Sequence, residues 1–185
     1  PGWNERRGAT YLILGSASPT GGTLGQVGIG YTGLMEDDGA GHSVAGAGDV
    51  NADGYDDILI GAPYVDGSGG TNAGAAYLMR GGSSGLGGLL NGSGNLATFA
   101  GLSSNAFTGS SVAGVNGVNG DSYDDILIGS PGDGGNGGSA GAAYLVLGGS
   151  SVNGNLTFAV KYSGQFSNNY AGSAVSAAGD IDNDG

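Results

Sequence analysis

Residues 41–63, GHSVAGAGDVNADGYDDILIGAP, recur 68 positions later as GSSVAGVNGVNGDSYDDILIGSP, residues 109–131. Self-similarity at such a period constrains the fold more than any other feature of the chain, because it means one supersecondary unit built several times over. The likeness continues downstream, where GTNAGAAYLMRGGSSG matches GGSAGAAYLVLGGSSV at nearly the same shift. A third copy opens with YAGSAVSAAGDIDNDG, 63 residues after the second, and GATYLILGSAS near the start resembles the late strand of a copy whose beginning is absent.

Each repeat reads as four short strands: HSVAGAG, DDILIGA, GAAYLMR and a weaker NLATFAG. The stretches NADG, DGSGG and GGSSGLGG between them are turn chemistry. Glycine supplies 45 of 185 residues, with 4 prolines, and so high a content without order would suggest low complexity. Here the glycines fall between apolar runs, and no long window carries a helical stripe, so the chain reads as all-β. Ile58-Leu59-Ile60 is apolar at every position, which suits a strand covered on both faces. Ala45, Gly46, Ala47 and Gly48 are small enough to lie against a crowded axis.

Four antiparallel strands recurring every 60 to 70 residues predict β-propeller blades. A β-helix repeats at a shorter interval, and a sandwich has no period. The expected division is a partial blade over 1–38, full blades over 39–106 and 107–169, and the start of a further blade over 170–185. That amounts to about eleven strands, where closed propellers need roughly 4–8 blades. Either the chain is a segment of a larger propeller or several copies complete one another. Its start at Pro1 rather than Met leads to the expectation that a leader or a longer N-terminal part was removed.

The turn between the first two strands crowds Asp49, Asp53, Asp56 and Asp57 into nine positions. Like charges so close repel, increasingly as water is lost. Read from Asp49, side-chain oxygens recur at the first, third, fifth and ninth positions, namely Asp49, Asn51, Asp53 and Asp57. Gly54 permits the tight turn, and the Tyr55 carbonyl adds a backbone oxygen. Hard oxygens at alternating positions of a turning loop suit Ca²⁺, which takes 6–8 of them in flexible geometry. Mg²⁺ ranks second because it demands a stricter octahedron. Asp56 alternates away, to point outward or brace the loop. The competing reading is plain hairpin chemistry, since Asp and Asn cap turns without any metal.

With GHSV before it, GDVNADGYDDILIGAP resembles the FG-GAP repeat of integrin α-subunit β-propellers and their bacterial relatives, and the resemblance extends over nearly the whole chain. It implies a calcium loop between the first two strands of each blade, on the face opposite the one used for ligands. The implied ligands are Asp49, Asn51, Asp53, the Tyr55 carbonyl and Asp57 in the first loop. In the second, Gly117 replaces the first carboxylate and Ser122 replaces Gly54, leaving Asn119, Asp121, the Tyr123 carbonyl and Asp125 for a weaker or water-completed site. The third copy supplies Asp180, Asp182 and Asp184. The aromatic half of the motif drifts: Phe107 and Tyr170 stand two residues before Gly109 and Gly172, and the first repeat has no aromatic there.

Sixteen acids against four Lys and Arg give a net charge of −12, which disfavours nucleic acid and anionic membranes as partners. The absence of cysteine removes disulfides, thiolate metal sites and thiol catalysis, and no apolar run approaches a membrane span. GIGYTG at 28–33 spells a dinucleotide fingerprint but precedes LMEDDGAGHS, which is no helix. His42, the sole histidine, faces Ser110 in the second copy and reads as surface. The pairs Asp56/Asp57 and Asp124/Asp125 recur at a structural turn, which favours metal over glycosidase chemistry. Tyr77 and Tyr144 read as packing residues, and Asn91 and Asn155 begin glycosylation sequons. The expected function is a non-enzymatic, extracellular or cell-surface scaffold for binding or adhesion, with structural Ca²⁺ and a protein or glycan ligand. The alternatives are a filament or sheath subunit joined to further copies of itself through propeller edges, or an accessory propeller of a secreted enzyme such as a polysaccharide lyase.

Overall fold

The computed structural model describes residues 7–16, 21–84, 86–90, 96–134 and 138–179. The repeat unit forms twice. β3 (Ser43–Gly48), β4 (Asp57–Ala62), β5 (Ala75–Met79) and β7 (Leu96–Ala100) make one antiparallel sheet in the order β3-β4-β5-β7. β8 (Ser111–Val115), β9 (Asp125–Ser130), β10 (Ala142–Val146) and β11 (Val160–Ser163) make the second in sequence order. Their registers coincide: Ser43 pairs with Gly61 as Ser111 pairs with Gly129, and Leu59 with Leu78 as Leu127 with Leu145. The four strands read from each repeat are therefore the four that form, trimmed by a residue or two.

Ahead of them, β1 (Ala9–Leu12) and β2 (Ile29–Thr32) pair antiparallel, and β6 (Gly88–Leu89) adds parallel to β2. β6 belongs to the connection between β5 and β7, so the first four-stranded sheet reaches back onto the outer strand of its predecessor. Equivalent bridges join Gly8 to Ala40, Gly74 to Thr108 and Gly141 to Ala171, so the repeat geometry extends to both ends of the described chain. Residues 175–179, where the first strand of the third copy was expected, form no strand. Strands β3 and β8 each form against a second strand, β4 and β9, and no described segment plays that part here. A single helical turn, α1 (Leu24–Val27), and a 3₁₀ turn at Leu156–Phe158 complete the described elements.

The continuous apolar run of β4 is explained by two cores. Leu59, with Leu78 and Phe99, packs against Val112, Ile126, Ile128 and Tyr144 of the second sheet. Ile60 faces the other way, with Tyr77, Met79, Leu90 and Leu96, toward Tyr31 of the three-stranded sheet. Alternate side chains of one strand thus feed opposite cores, and no position is left for a polar residue. At the inner strand β8 the missing side chain is required: a Cβ on Gly114 would stand 2.3 Å from the Gly46 carbonyl oxygen.

Candidate metal centre

The loop 49–57 leaves β3 and enters β4 after a left-handed residue at Ala52 (φ 55°) and another at Gly54 (φ 90°). These turns aim backbone N–H groups inward, and the acidic side chains answer them. The Asp49 carboxylate accepts from the amides of Asp53 (3.0 Å) and Gly54 (2.8 Å). Asn51 Oδ1 also accepts from Asp53 N (3.2 Å), and Asp53 Oδ1 accepts from Tyr55 N (3.0 Å). Asn51 Nδ2 donates to Asp53 Oδ2 at 2.9 Å. The first, third and fifth positions are thereby assembled within one turn.

Asp57 has a part that the sequence reading did not assign. It is buried, and its two oxygens accept from Val50 N (3.1 Å) and Gly81 N (2.8 Å). It therefore pins the start of the loop and the exit of β5 to the head of β4. The second copy repeats the device, with Asp125 accepting from Val118 N (2.7 Å) and Gly148 N (2.8 Å). The second loop also keeps Asn119 and Asp121: Asn119 Oδ1 accepts from Asp121 N (3.2 Å), Asn119 Nδ2 donates to Asp121 Oδ2 (2.7 Å), and Asp121 Oδ1 accepts from Tyr123 N (2.8 Å).

Among the described residues, no three acidic or imidazole side chains converge as a ready metal cluster, and the carboxylates hold their own loop's amides instead. Two observations nevertheless fit a hard cation. A carboxylate oxygen has two lone pairs, so bonding to one amide leaves acceptor capacity on Asp49 and Asp53. At Gly117, where the first carboxylate is missing, an added Cβ would stand 3.2 Å from the Tyr123 carbonyl oxygen and 3.3 Å from that of Asp121. The side chain of the first position thus enters a cradle already fronted by the seventh-position carbonyl. Asp180, Asp182 and Asp184, and the sequon at Asn91, lie outside the described residues.

Burial pushes the Asp57 carboxyl above its ordinary value; the amides of Gly81 and Val50 oppose this, and the charges of Asp53 and Asp49 add to it. A carboxyl that protonates more readily folded than unfolded contributes stability that is complete below its unfolded pKa and lost as pH rises through the folded one. In chelator, lowering the pH from neutral toward the ordinary carboxyl range is therefore expected to raise the melting temperature, with the slope flattened in Asp57→Asn. A cation favours the ionised carboxylates, so saturating Ca²⁺ is expected to reverse that slope. Melts at a series of pH values, with and without the ion, check both signs.

Elsewhere the repeats diverge in ways that a single motif does not report. Tyr144 donates to Asp133, whose other oxygen takes Lys161 Nζ at 2.9 Å, and that ammonium lies 5.6 Å from the Tyr144 ring centroid. Burial, then the bond and charge of Asp133, raises the Tyr144 phenol. Tyr77, its counterpart, is pushed up to about 12 by burial and then by the charge of Asp38. Val65 and Thr98 stand where Asp133 and Lys161 would be, and that substitution pattern was the available signal. His42 is exposed and lies edge-on to Tyr64 at 6.1 Å. Asn155, the described sequon, is exposed and caps the 3₁₀ turn.

Sheets built from an internal repeat, each entered through a carboxylate-lined turn, define an all-β repeat protein. Residues 40–79, which contain the whole first loop, match the FG-GAP repeat family model. The chain is 36% identical over 98 residues to integrin alpha pat-2 of Caenorhabditis elegans, covering 49% of this chain and 7% of that protein. It is 48% identical over 46 residues to integrin alpha pat-2 of Caenorhabditis briggsae, covering 25% and 4%. Over these segments the chain resembles FG-GAP repeat, integrin α-like proteins, and it spans less than a tenth of the length of these two relatives.

Proposed function

We propose that this chain is part of an extracellular, calcium-binding β-propeller that serves as an adhesion or interaction scaffold rather than as an enzyme. The observation that carries the reading is the first loop itself. Asp49, Asn51 and Asp53 are gathered in one turn, the charges of Asp53 and Asp49 act on a buried Asp57, and the FG-GAP match spans that same segment. Oxygen donors of mixed charge, including a backbone carbonyl, suit Ca²⁺ better than Mg²⁺. When bound, the ion supplies no reaction chemistry; it neutralises the carboxylates and stiffens the turn. Millimolar calcium outside cells suits loops of modest affinity. No described helix is long and apolar enough to cross a membrane.

The ligand face of this reading lies at the opposite ends of the strands, where the connections β2–β3 and β4–β5 emerge. A cleft of about 880 Å³ opens there, lined among others by Met35, Glu36, Asp38, Tyr64, Asp66 and Tyr77. Its mixture of aromatic and carboxylate groups supports a protein or glycan partner. A titration of the metal-free protein with Ca²⁺ followed by calorimetry tests the metal. Saturable binding in the parent, lost at the first loop in Asp53→Ala, is expected; absence of binding in the parent overturns the reading. Retention of the immobilised protein's partner from a glycan array or matrix-protein panel, in calcium but not in chelator, tests the scaffold role.

A further inference from the structure

The first loop is held as much by the second sheet as by its own. Asp124, in the turn between β8 and β9, reaches across to it: Asp49 N donates to Asp124 Oδ2 at 2.8 Å, and Asp124 N donates to the Asp49 carbonyl at 3.2 Å. Gly149 N, just beyond β10, donates to the Val50 carbonyl at 2.8 Å. The approach is so close that a Cβ on Gly48 would stand 2.1 Å from Asp124 Oδ2. The counterparts of Asp49 and Val50 in the second loop are Gly117 and Val118, and no such cross-sheet bonds hold them among the described residues. Val50 is fully buried, whereas Val118 is 51% exposed.

The geometry points to Asp124 as a positioning residue for the first loop, one that fixes the main chain of Asp49 from the neighbouring sheet and so sets the cation affinity of loop 49–57. Asp49 leads the donor series, and its side chain springs from a main chain that Asp124 holds at both the amide and the carbonyl of Asp49. The Asp124 carboxylate also brings one more negative charge against the loop. Groups that orient a ligating carboxylate commonly govern affinity about tenfold or more without touching the ion. Asp56 is the natural control. It occupies the same repeat position, is exposed, and its side chain makes no hydrogen bond among the described residues.

This inference rests on the calcium reading above, and the experiment separates the two. Calcium titrations of the whole chain, followed by NMR at the amides of Gly54 and Gly120, report each loop independently. The parent is expected to respond at Gly54. In Asp124→Ala the Gly54 midpoint is expected to rise about tenfold with the Gly120 midpoint unmoved, and Asp56→Ala is expected to leave both where they are. Asp124→Asn keeps an oxygen for the Asp49 amide but not the charge, and a rise of about threefold is expected; it decides the matter if the alanine variant does not fold. A parent that responds at Gly54 while Asp124→Ala and Asp124→Asn keep its midpoint overturns the positioning role alone. A parent with no response at Gly54 overturns the calcium reading and this inference with it.

Discussion

Adding calcium to the chelated protein at roughly 100 to 1,000 times its dissociation constant is expected to stabilise it by about 2.7–4 kcal/mol for one site. In a chain of this size that corresponds to a rise of roughly 5–15 °C in melting temperature. The gain follows from two features of the first loop. Burial and the charges of Asp49 and Asp53 disfavour the ionised form of Asp57 in the folded state, so part of the stabilisation is relief of a cost already present. An ion coordinated by residues from both ends of the turn also binds the folded chain alone. Asp49→Ala removes the first donor and the acceptor for the amides of Asp53 and Gly54. Most of the calcium increment is expected to disappear in it, along with about 1–3 kcal/mol of metal-free stability. Calorimetric melts of both proteins in calcium and in chelator measure the two quantities separately. Equal melting temperatures in all four conditions would leave the carboxylates as turn caps and nothing more.

The sequence carried the strand plan and the acidic turn, but not what lies between sheets. β4 was legible because Ile58-Leu59-Ile60 has no polar gap, and its place between two cores is the physical reason. The matching registers were legible because the repeats align residue for residue. β6, the grip of Asp124 on Asp49, and Arg80 Nη2 donating to the Val152 carbonyl at 2.6 Å were not. Each joins residues from different repeats, and nothing in a local pattern reports how far one sheet stands from the next. Asp57 shows the same limit: its place in the donor series was readable, but its bond to Gly81, 24 residues away, depends on how β5 ends.

Gly61→Ala is expected to cost about 3 kcal/mol or more, lowering the melting temperature by roughly 6–12 °C, although it adds only one methyl group. The glycine that opens the GAP motif has no unusual φ, so the cause is contact. An added Cβ would stand 2.0 Å from the Gly109 carbonyl oxygen and 2.2 Å from Ser43 Oγ. The serine can rotate, at the loss of its 2.8 Å bond to that carbonyl. The carbonyl cannot move so easily, because Gly109 N is tied to the Gly129 carbonyl at 2.9 Å and Gly109 sits at φ 85° against the Ala75 carbonyl. The second repeat has the same construction: a Cβ on Gly129 would stand 2.0 Å from the Gly172 carbonyl oxygen, and Ser111 Oγ donates to that oxygen at 2.8 Å. The two glycines of the family motif are therefore one feature seen from two repeats: the glycine of one sheet makes room for the glycine that enters the next. Gly46→Ala is the matched control, because a Cβ there meets nothing within 4 Å. It is expected to leave stability unchanged or raise it by about 0.5 kcal/mol through the unfolded chain. Urea denaturation of the three proteins decides the point. If Gly61→Ala unfolds at the same midpoint as Gly46→Ala, the sheets do not meet at this crossing and the stacked arrangement of the repeats is wrong.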